Sequence, residues 1–393
     1  MGLFDVSANF IGGELPSWIG SVLPDLLVLN LSTNLLKDLS SNNLGPYIPA
    51  CANVTFMRFL HLTNDALAGH FPEFLSGASS IVTLDLRQNA LSGEVPSWIG
   101  SLHNLKVLLL QGNNFEGSIP LDLCLLENMT ILDLSNNNLS GKIPPCLKDL
   151  TFGNDGVSSD FSFPLSKWDL TSWTELGKEY TLALTFELEE VNFVTKRRLE
   201  SYKGYILQLM SGMDLSMNNL TGFIPPEVGH LSELRALNLS HNHLTGLIPE
   251  TFSILKNVES LDLSYNNLIG PIPSQLTELY ALSNFRVAYN NLSGKTPDRK
   301  NQFGTFDEAS YEGNPLLCGT PLTSCDDSNQ EHGTPPSFSH TIEDDSWREA
   351  FLWSFARSYI VAFLGVVLFL YLNPYYQCVL FELVCKLIPF FLH

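Results

Sequence analysis

An asparagine that returns every 24 residues inside the motif L-x-L-x-x-N-x-L-x-G-x-I-P constrains this chain more than any other feature. It stands at Asn89, Asn113 and Asn137, and again at Asn218, Asn242, Asn266 and Asn290. The frame continues upstream at Asn9, Asn34 and Asn42, with Asp65 replacing asparagine in one copy; the step from Asn34 to Asn42 is only 8, which predicts a shortened copy. A period of this length marks an architecture whose core grows by stacking. In Leu84-Asp85-Leu86 the leucines point inward from a short strand and the aspartate outward, so stacked copies build a parallel sheet over a continuous leucine core. The buried asparagine satisfies backbone groups that the turn leaves inside. Leu268, Gly270, Ile272 and Pro273 supply a tight turn and a fixed φ on the far side of the coil.

Charge and motifs exclude several functions. Acidic residues outnumber basic ones 41 to 21, a net charge of -20, which opposes binding to nucleic acid. No Gly-rich phosphate loop, HExxH, GxSxG elbow or metal-spaced CxxC pair occurs. His241 and His243 form His-x-His without further ligands in sequence, so neither a metal nor a cofactor is expected. No enzyme is expected either.

Between Asn137 and Asn218 lie 81 residues where 24 would suffice, so about 57 residues interrupt the array. Within them Leu182, Leu184, Phe186 and Leu188 alternate as in a half-buried strand, and Trp168 and Trp173 suggest a packed subdomain. A basic cluster, Lys196-Arg197-Arg198, precedes Tyr202. Cys124 and Cys146 fall in neighbouring coils, where a disulfide and two buried thiols are both open readings. Residues 326–350 turn acidic and polar, the composition of a solvated spacer. Residues 351–372 run apolar for 22 positions with the single charge Arg357, which at about 1.5 Å per residue spans a bilayer of about 30 Å. Ser354, Ser358 and Ala362 share one face of that helix, where a second helix could approach.

The Gly-x-Ile-Pro signature, the late interruption and the ending Tyr311-Glu312-Gly313-Asn314-Pro315-Leu316-Leu317-Cys318-Gly319 resemble the plant leucine-rich-repeat receptor-like proteins: kinase-lacking, single-pass, island-containing and related to Cf-type receptors. The resemblance implies an α/β repeat solenoid, a plant-type extracellular leucine-rich-repeat horseshoe interrupted by an island subdomain, plus one transmembrane helix. The expected domains are repeats over 1–150, the island over 151–208, four further repeats over 209–297, a C-terminal cap over 298–325 pinned by a Cys318–Cys325 disulfide, the spacer over 326–350, the helix over 351–372 and a short cytoplasmic tail over 373–393. Met1 to Phe10 hold no signal peptide, and Val6 breaks a myristoylation motif at Gly2, which suggests N-terminal truncation.

The same resemblance implies a plasma-membrane type I protein with an extracellular peptide or protein ligand. Lys196-x5-Tyr202 is similar to the family's Lys-x5-Tyr island motif, associated with SERK-type co-receptor kinases; its other reading is a solvated basic strand edge. An adaptor receptor kinase is the second implied partner. Outward strand positions that depart from the repeat's Asp-x-Ser filler, namely His61, Thr63, Arg87, Val107, Leu109 and Gln111, form a mixed stripe suited to a ligand. Sequons at Asn30, Asn53, Asn128, Asn138, Asn219, Asn238 and Asn291 are compatible with a glycosylated outer face. The competing functions are a non-signalling decoy and a hydrolase-inhibitor-like binding protein.

Overall fold

The computed structural model describes residues 3–5, 7–9, 12–13, 28–32, 35–36, 56–152, 189–196 and 198–325. They form a parallel-strand solenoid with two sheets. The long sheet has ten strands, from Leu3–Asp5 through Thr83–Asp85 and Val107–Leu109 to Asn284–Arg286, each a three-residue segment paired in parallel with the next coil. The second sheet has nine strands, from Ala68–Gly69 to Leu316–Cys318, and runs along the Leu-x-Gly segments.

The motif dictates each part of a coil. Leu84, Leu86 and Leu91 are wholly buried, as are their equivalents Leu261, Leu263 and Leu268. Each contributes about 1.5–3 kcal/mol relative to an exposed side chain, but only once the next coil covers it. The asparagine ladder closes the turn between the two sheets. In the Asn242 coil the side-chain amide donates to the carbonyls of Leu215, Leu239 and Ser240, while its oxygen accepts from the Leu220 N–H at 3.0 Å. One amide thus satisfies backbone groups of two coils. The Ile-Pro step then ends the second strand: Pro249, with φ fixed at -62°, immediately precedes the 3-10 segment Glu250–Ile254. The helical element of the expected α/β class is therefore 3-10. Ten residues separate Pro249 from the strand Ser260–Asp262, and the first five of them form this tighter turn. Among the described residues Tyr205–Gln208 is the one α-helix.

Gly246, at φ +80°, shows why the turn position carries glycine: a Cβ there would approach Phe223 Cδ1 of the preceding coil to 2.4 Å. At the last coil Phe303, Phe306 and Tyr311 pack on Phe285, with ring centroids 5.0, 5.6 and 5.9 Å away, covering what would be an open end. Disulfides join Cys318 to Cys325 in this cap and Cys124 to Cys146 between neighbouring coils.

The interruption leaves the stack continuous. Ile131 pairs directly with Gly212 in the long sheet and Ser140 with Asn219 in the second, and Asn218 donates to the Leu134 carbonyl at 2.9 Å across the inserted residues. The shortened copy expected at Asn42 adds no strand to the long sheet, because Val28–Asn30 pairs directly with Phe59–His61. The expected spacer, transmembrane helix and tail, residues 326–393, lie outside the described residues, as do Asn53, Trp168, Trp173 and the alternation of residues 182–188. Among the described residues no helix is long and apolar enough to cross a membrane.

Candidate functional site: a hairpin seated on the long sheet

The inserted segment ends in an antiparallel hairpin, Glu190–Thr195 against Arg198–Lys203, followed by the short helix that returns the chain to the strand Gly212–Asp214. Period-two alternation sends Val191 and Phe193 to one side, and both are buried. They pack with Leu207 and Met210 onto Val107, Leu109, Ile131 and Ala236, the outward positions of consecutive long-sheet strands, with Tyr202 at the margin. Gly212 stands in the row that carries Val107 and Ile131 on earlier coils. A Cβ there would lie 2.2 Å from Phe193 Cε1, so the missing side chain makes the seat for the ring.

Charged groups fix both ends. At the base, His61 lies between two carboxylates, Nε2 3.4 Å from Glu189 and Nδ1 3.7 Å from Asp85. Arg87 grips Asp85 through Nε at 2.9 Å and a terminal nitrogen at 2.6 Å, and its other terminal nitrogen donates to the Asn192 carbonyl of the hairpin. All four ionisable side chains are buried, and two cations face two anions. Burial opposes the charge on His61, but Asp85 and Glu189 outweigh it and lift its pKa to about 10. Burial likewise acts against the Asp85 carboxylate, yet Arg87 and His61 hold it well below the usual range. At the tip, Lys196 reaches Glu259 at 2.6 Å, and Arg235 binds the same carboxylate at 2.8 Å. Burial there is outweighed by these two cations, which lower the Glu259 pKa. This exposed pair contributes little to stability and chiefly sets direction.

A definite pH dependence follows. His61 is lifted from 6.5, so its stabilising contribution is complete below pH 6.5 and is lost as pH rises through 10. The expected result is a fall in urea midpoint between pH 6.5 and 10 that His61→Gln largely abolishes. A fall of equal size in the variant would show that His61 is not the titrating group. Beside this cluster Asp133 and Asp214 stack on adjacent coils, each wholly withdrawn from water; burial, then their mutual repulsion in the case of Asp214, raises both pKa values.

The stripe expected to meet a ligand is thus largely covered. Val107 and Leu109 are the hairpin's apolar seat, and His61 and Arg87 are its ionic anchor; Thr63 and Gln111 remain partly exposed. The departures from the repeat consensus are real, but what they recognise in this structure is the chain's own insertion. Lys196 and Tyr202 make contacts within the chain: the exposed Lys196 pairs with Glu259, and the half-buried Tyr202 has its hydroxyl 2.7 Å from Thr195 Oγ1. The outer strand offers Arg198, Leu199 and Glu200 to solvent, with Leu199 63% exposed. Among the sequons, Asn128, Asn138, Asn219 and Asn291 are exposed, whereas Asn30 and Asn238 lie on the long sheet, half-buried, and donate to Asp5 and Asp214. His241 stacks on Tyr265 at 4.1 Å, and Tyr265 on Tyr289 at 4.4 Å, so this histidine belongs to an aromatic ladder.

Sequence alone did not identify Glu189, Asp85, Asn192, Phe193 or Glu259 as members of this site. Gly212 was the available signal, a glycine where its row carries Val107 and Ile131.

Comparison with known families matches residues 232–292 to the family described as Leucine rich repeat, and residues 80–102, 104–126, 128–150 and 211–231 to single Leucine Rich Repeat units. The protein named Cuscuta receptor 1 of Solanum lycopersicum is 58% identical over 203 residues, and Receptor-like protein 9a of Arabidopsis thaliana 48% over 260. The chain belongs to the plant leucine-rich-repeat receptor-like proteins. These alignments cover 50% and 62% of this receptor-like protein but only 18% and 28% of the two relatives. Among solved structures, the receptor kinase HAESA in complex with the peptide hormone IDA and the co-receptor SERK1 matches at TM-score 0.56 and 24% identity, covering 81% of this chain and 46% of that one. A plant ice-binding protein matches at TM-score 0.57 and 24% identity, covering 83% of each. At such identity the likeness concerns the fold, which evidently serves more than one function.

Proposed function

We propose that this receptor-like protein acts at the plasma membrane as a ligand-binding receptor without chemistry of its own, its array and hairpin outside the cell and residues 351–372 spanning the bilayer. It takes an extracellular peptide or protein ligand and signals through partner kinases, a SERK-type co-receptor and an adaptor receptor kinase, in plant defence or development. The observation that carries this reading is the hairpin: a sequence departure on the long sheet, a buried ionic anchor and a glycine seat all serve to hold one short strand at a fixed place. Such investment in position suits a contact surface. Relatives named as receptors, and a structural neighbour crystallised with a peptide hormone and SERK1, support the same reading.

In this account Lys196 and Tyr202 act by bracing the hairpin, and the exposed strand around Leu199 meets the co-receptor. Leu199→Glu in the full chain, expressed in plant cells, is expected to reduce co-precipitation with a SERK-type kinase at least fivefold while leaving the melting temperature unchanged. Lys196→Ala with Tyr202→Phe is expected to lower the co-precipitation by loosening the hairpin's direction, with little change in melting temperature because the Lys196 pair is exposed. Undiminished co-precipitation in both variants would remove the hairpin from the partner interface.

A further inference from the structure

Asp133 and Asp214 are direct register partners on neighbouring strands of the long sheet, in a row with Leu109 on one side and Asn238 on the other. Neighbouring strands lie about 4.8 Å apart, so two carboxyls stand side by side there. Both are buried, 1% and 2% exposed, whereas Asp262, two coils further along the same row, is half-buried. The hairpin makes the difference. It is held at Arg87 and at Glu259, with the coils of the pair between them, and Leu109 beside Asp133 belongs to its apolar seat.

The hydrogen-bond partners of the pair are neutral. Asp133 accepts from the Ser135 N–H at 3.0 Å and hydroxyl at 2.6 Å, and Asp214 from the Ser216 N–H and the Asn238 amide, both at 2.9 Å. Neither enters an ion pair among the described residues. The surrounding charges are committed elsewhere. Arg87 attracts Asp133 from a distance but grips Asp85, whose own charge repels Asp133. His61 is held by Glu189, and Lys196 and Arg235 share Glu259. On the hairpin Glu190 and Lys203 face each other in solvent, and the helix Tyr205–Gln208 brings no charge. Among the described residues no third histidine, cysteine or carboxylate completes a metal-ligand group with them. Two buried carboxylates without a contacting cation cannot both stay ionised. Burial first, and then the charge of Asp133, push the Asp214 carboxyl up to about 7.

We propose that this pair is a proton-operated catch: one proton held by Asp133 and Asp214 lets the hairpin close over them, and its loss drives the hairpin off the sheet. The fully ionised pair needs water, and water reaches it only when Val191 and Phe193 leave their seat. Once released, the carboxyls return to the ordinary 3.8, so seating takes up a proton. The stabilising contribution is therefore complete below pH 3.8, weakens as pH rises and is lost once pH passes about 7. His61 acts over the higher range, from 6.5 to about 10, which leaves the interval from pH 5 to 6.5 to the two acids. The catch itself needs no ligand. It rests on the receptor reading for its consequence, that acid holds the strand around Leu199 in place for a partner.

The test is hydrogen exchange on the full chain in detergent micelles at pH 5 and pH 6.5, corrected for the intrinsic pH dependence of amide exchange. A carboxyl that titrates in this interval only while the hairpin is seated changes the opening constant by about one decade per pH unit. The amides of Glu190–Thr195 are therefore expected to open at least tenfold more at pH 6.5, while those of the ladder coils at Leu220, Leu244 and Leu268 stay within about twofold. Asp133→Asn with Asp214→Asn should flatten the hairpin response to about threefold or less and keep the hairpin closed at both pH values. A carboxamide fits this row, since Asn238 already stands in it. Asp262→Asn, outside the hairpin, should keep the wild-type response. If the double variant loses ladder protection as well, Asp133→Asn alone decides, and its response must fall clearly below that of the wild type. A wild-type response under about threefold, or a full response in the double variant, overturns the catch. Loss of the response on adding a chelator assigns the pair to a bound cation and rejects the proton. Each of these failures leaves the receptor reading in place, because the Leu199 co-precipitation tests that at a single pH.

Discussion

Asp85→Ala is expected to cost about 3–5 kcal/mol of stability, the range for removing one partner from a buried ion cluster. Asp85 accepts two bonds from the Arg87 guanidinium and one from the Arg87 backbone N–H, and it holds one side of the His61 ring. Without it two cations remain under the hairpin, His61 with Glu189 as its counter-charge and Arg87 with Asp133. Much of the penalty is the uncompensated charge, so a double variant should lose less than the sum of its parts. Asp85→Ala with Arg87→Ala is expected to recover more than 1 kcal/mol relative to additivity, as contacting pairs do. Chemical unfolding, monitored at the base of the hairpin by a site-specific probe, supplies the measurement, since a stacked array opens in parts. A loss below about 1 kcal/mol for Asp85→Ala would mean that water reaches the cluster and that it does not anchor the hairpin.

Some of this arrangement was legible in the residues and some was not, for physical reasons. The solenoid follows from period alone, because a leucine at Leu84 or Leu261 has nowhere to go except against the next coil, and the ladder asparagines repeat the same local bonds at every turn. The cap was expected from the family resemblance of Tyr311 to Gly319, whereas the rings of Phe303 and Phe306 that close the core there show themselves only in the structure. The coil between Asn30 and His61 misled the count because an asparagine in frame at Asn42 says nothing about whether a strand has room beside its neighbours. The departures at His61, Arg87, Val107 and Leu109 stand out in the sequence as a stripe suited to a ligand, whereas nothing in it points to Glu189, Asn192 and Phe193 as the residues that lie on them. A sequence shows which positions refuse the repeat's filler, whereas the fact that Glu189 and Phe193, some 80 to 130 residues away, fold back onto them is a tertiary choice. No local propensity encodes it.

Gly212 tests that tertiary choice most directly. Gly212→Val is expected to unseat the hairpin and leave the solenoid intact. The strand Gly212–Asp214 pairs on both sides through its backbone, with Ile131–Asp133 and Ala236–Asn238, and branched residues already occupy the same row at Val107 and Ile131. The stack therefore tolerates the side chain. Phe193 does not, because its ring edge lies 2.2 Å from the position of the new Cβ and the ring is closely packed among Val191, Leu207 and the sheet. Expelling a buried phenylalanine corresponds to about 3–5 kcal/mol, enough to compete with an anchor of similar worth at the base. Hydrogen exchange should show the amides of Glu190–Thr195 losing protection by two or more orders of magnitude, with the ladder coils at Leu220, Leu244 and Leu268 unchanged. A second substitution, Phe193→Ala, should restore part of the protection by removing the clash. Full protection of the hairpin in Gly212→Val would show that the ring can find another place, and that the glycine is incidental to how the insertion is held.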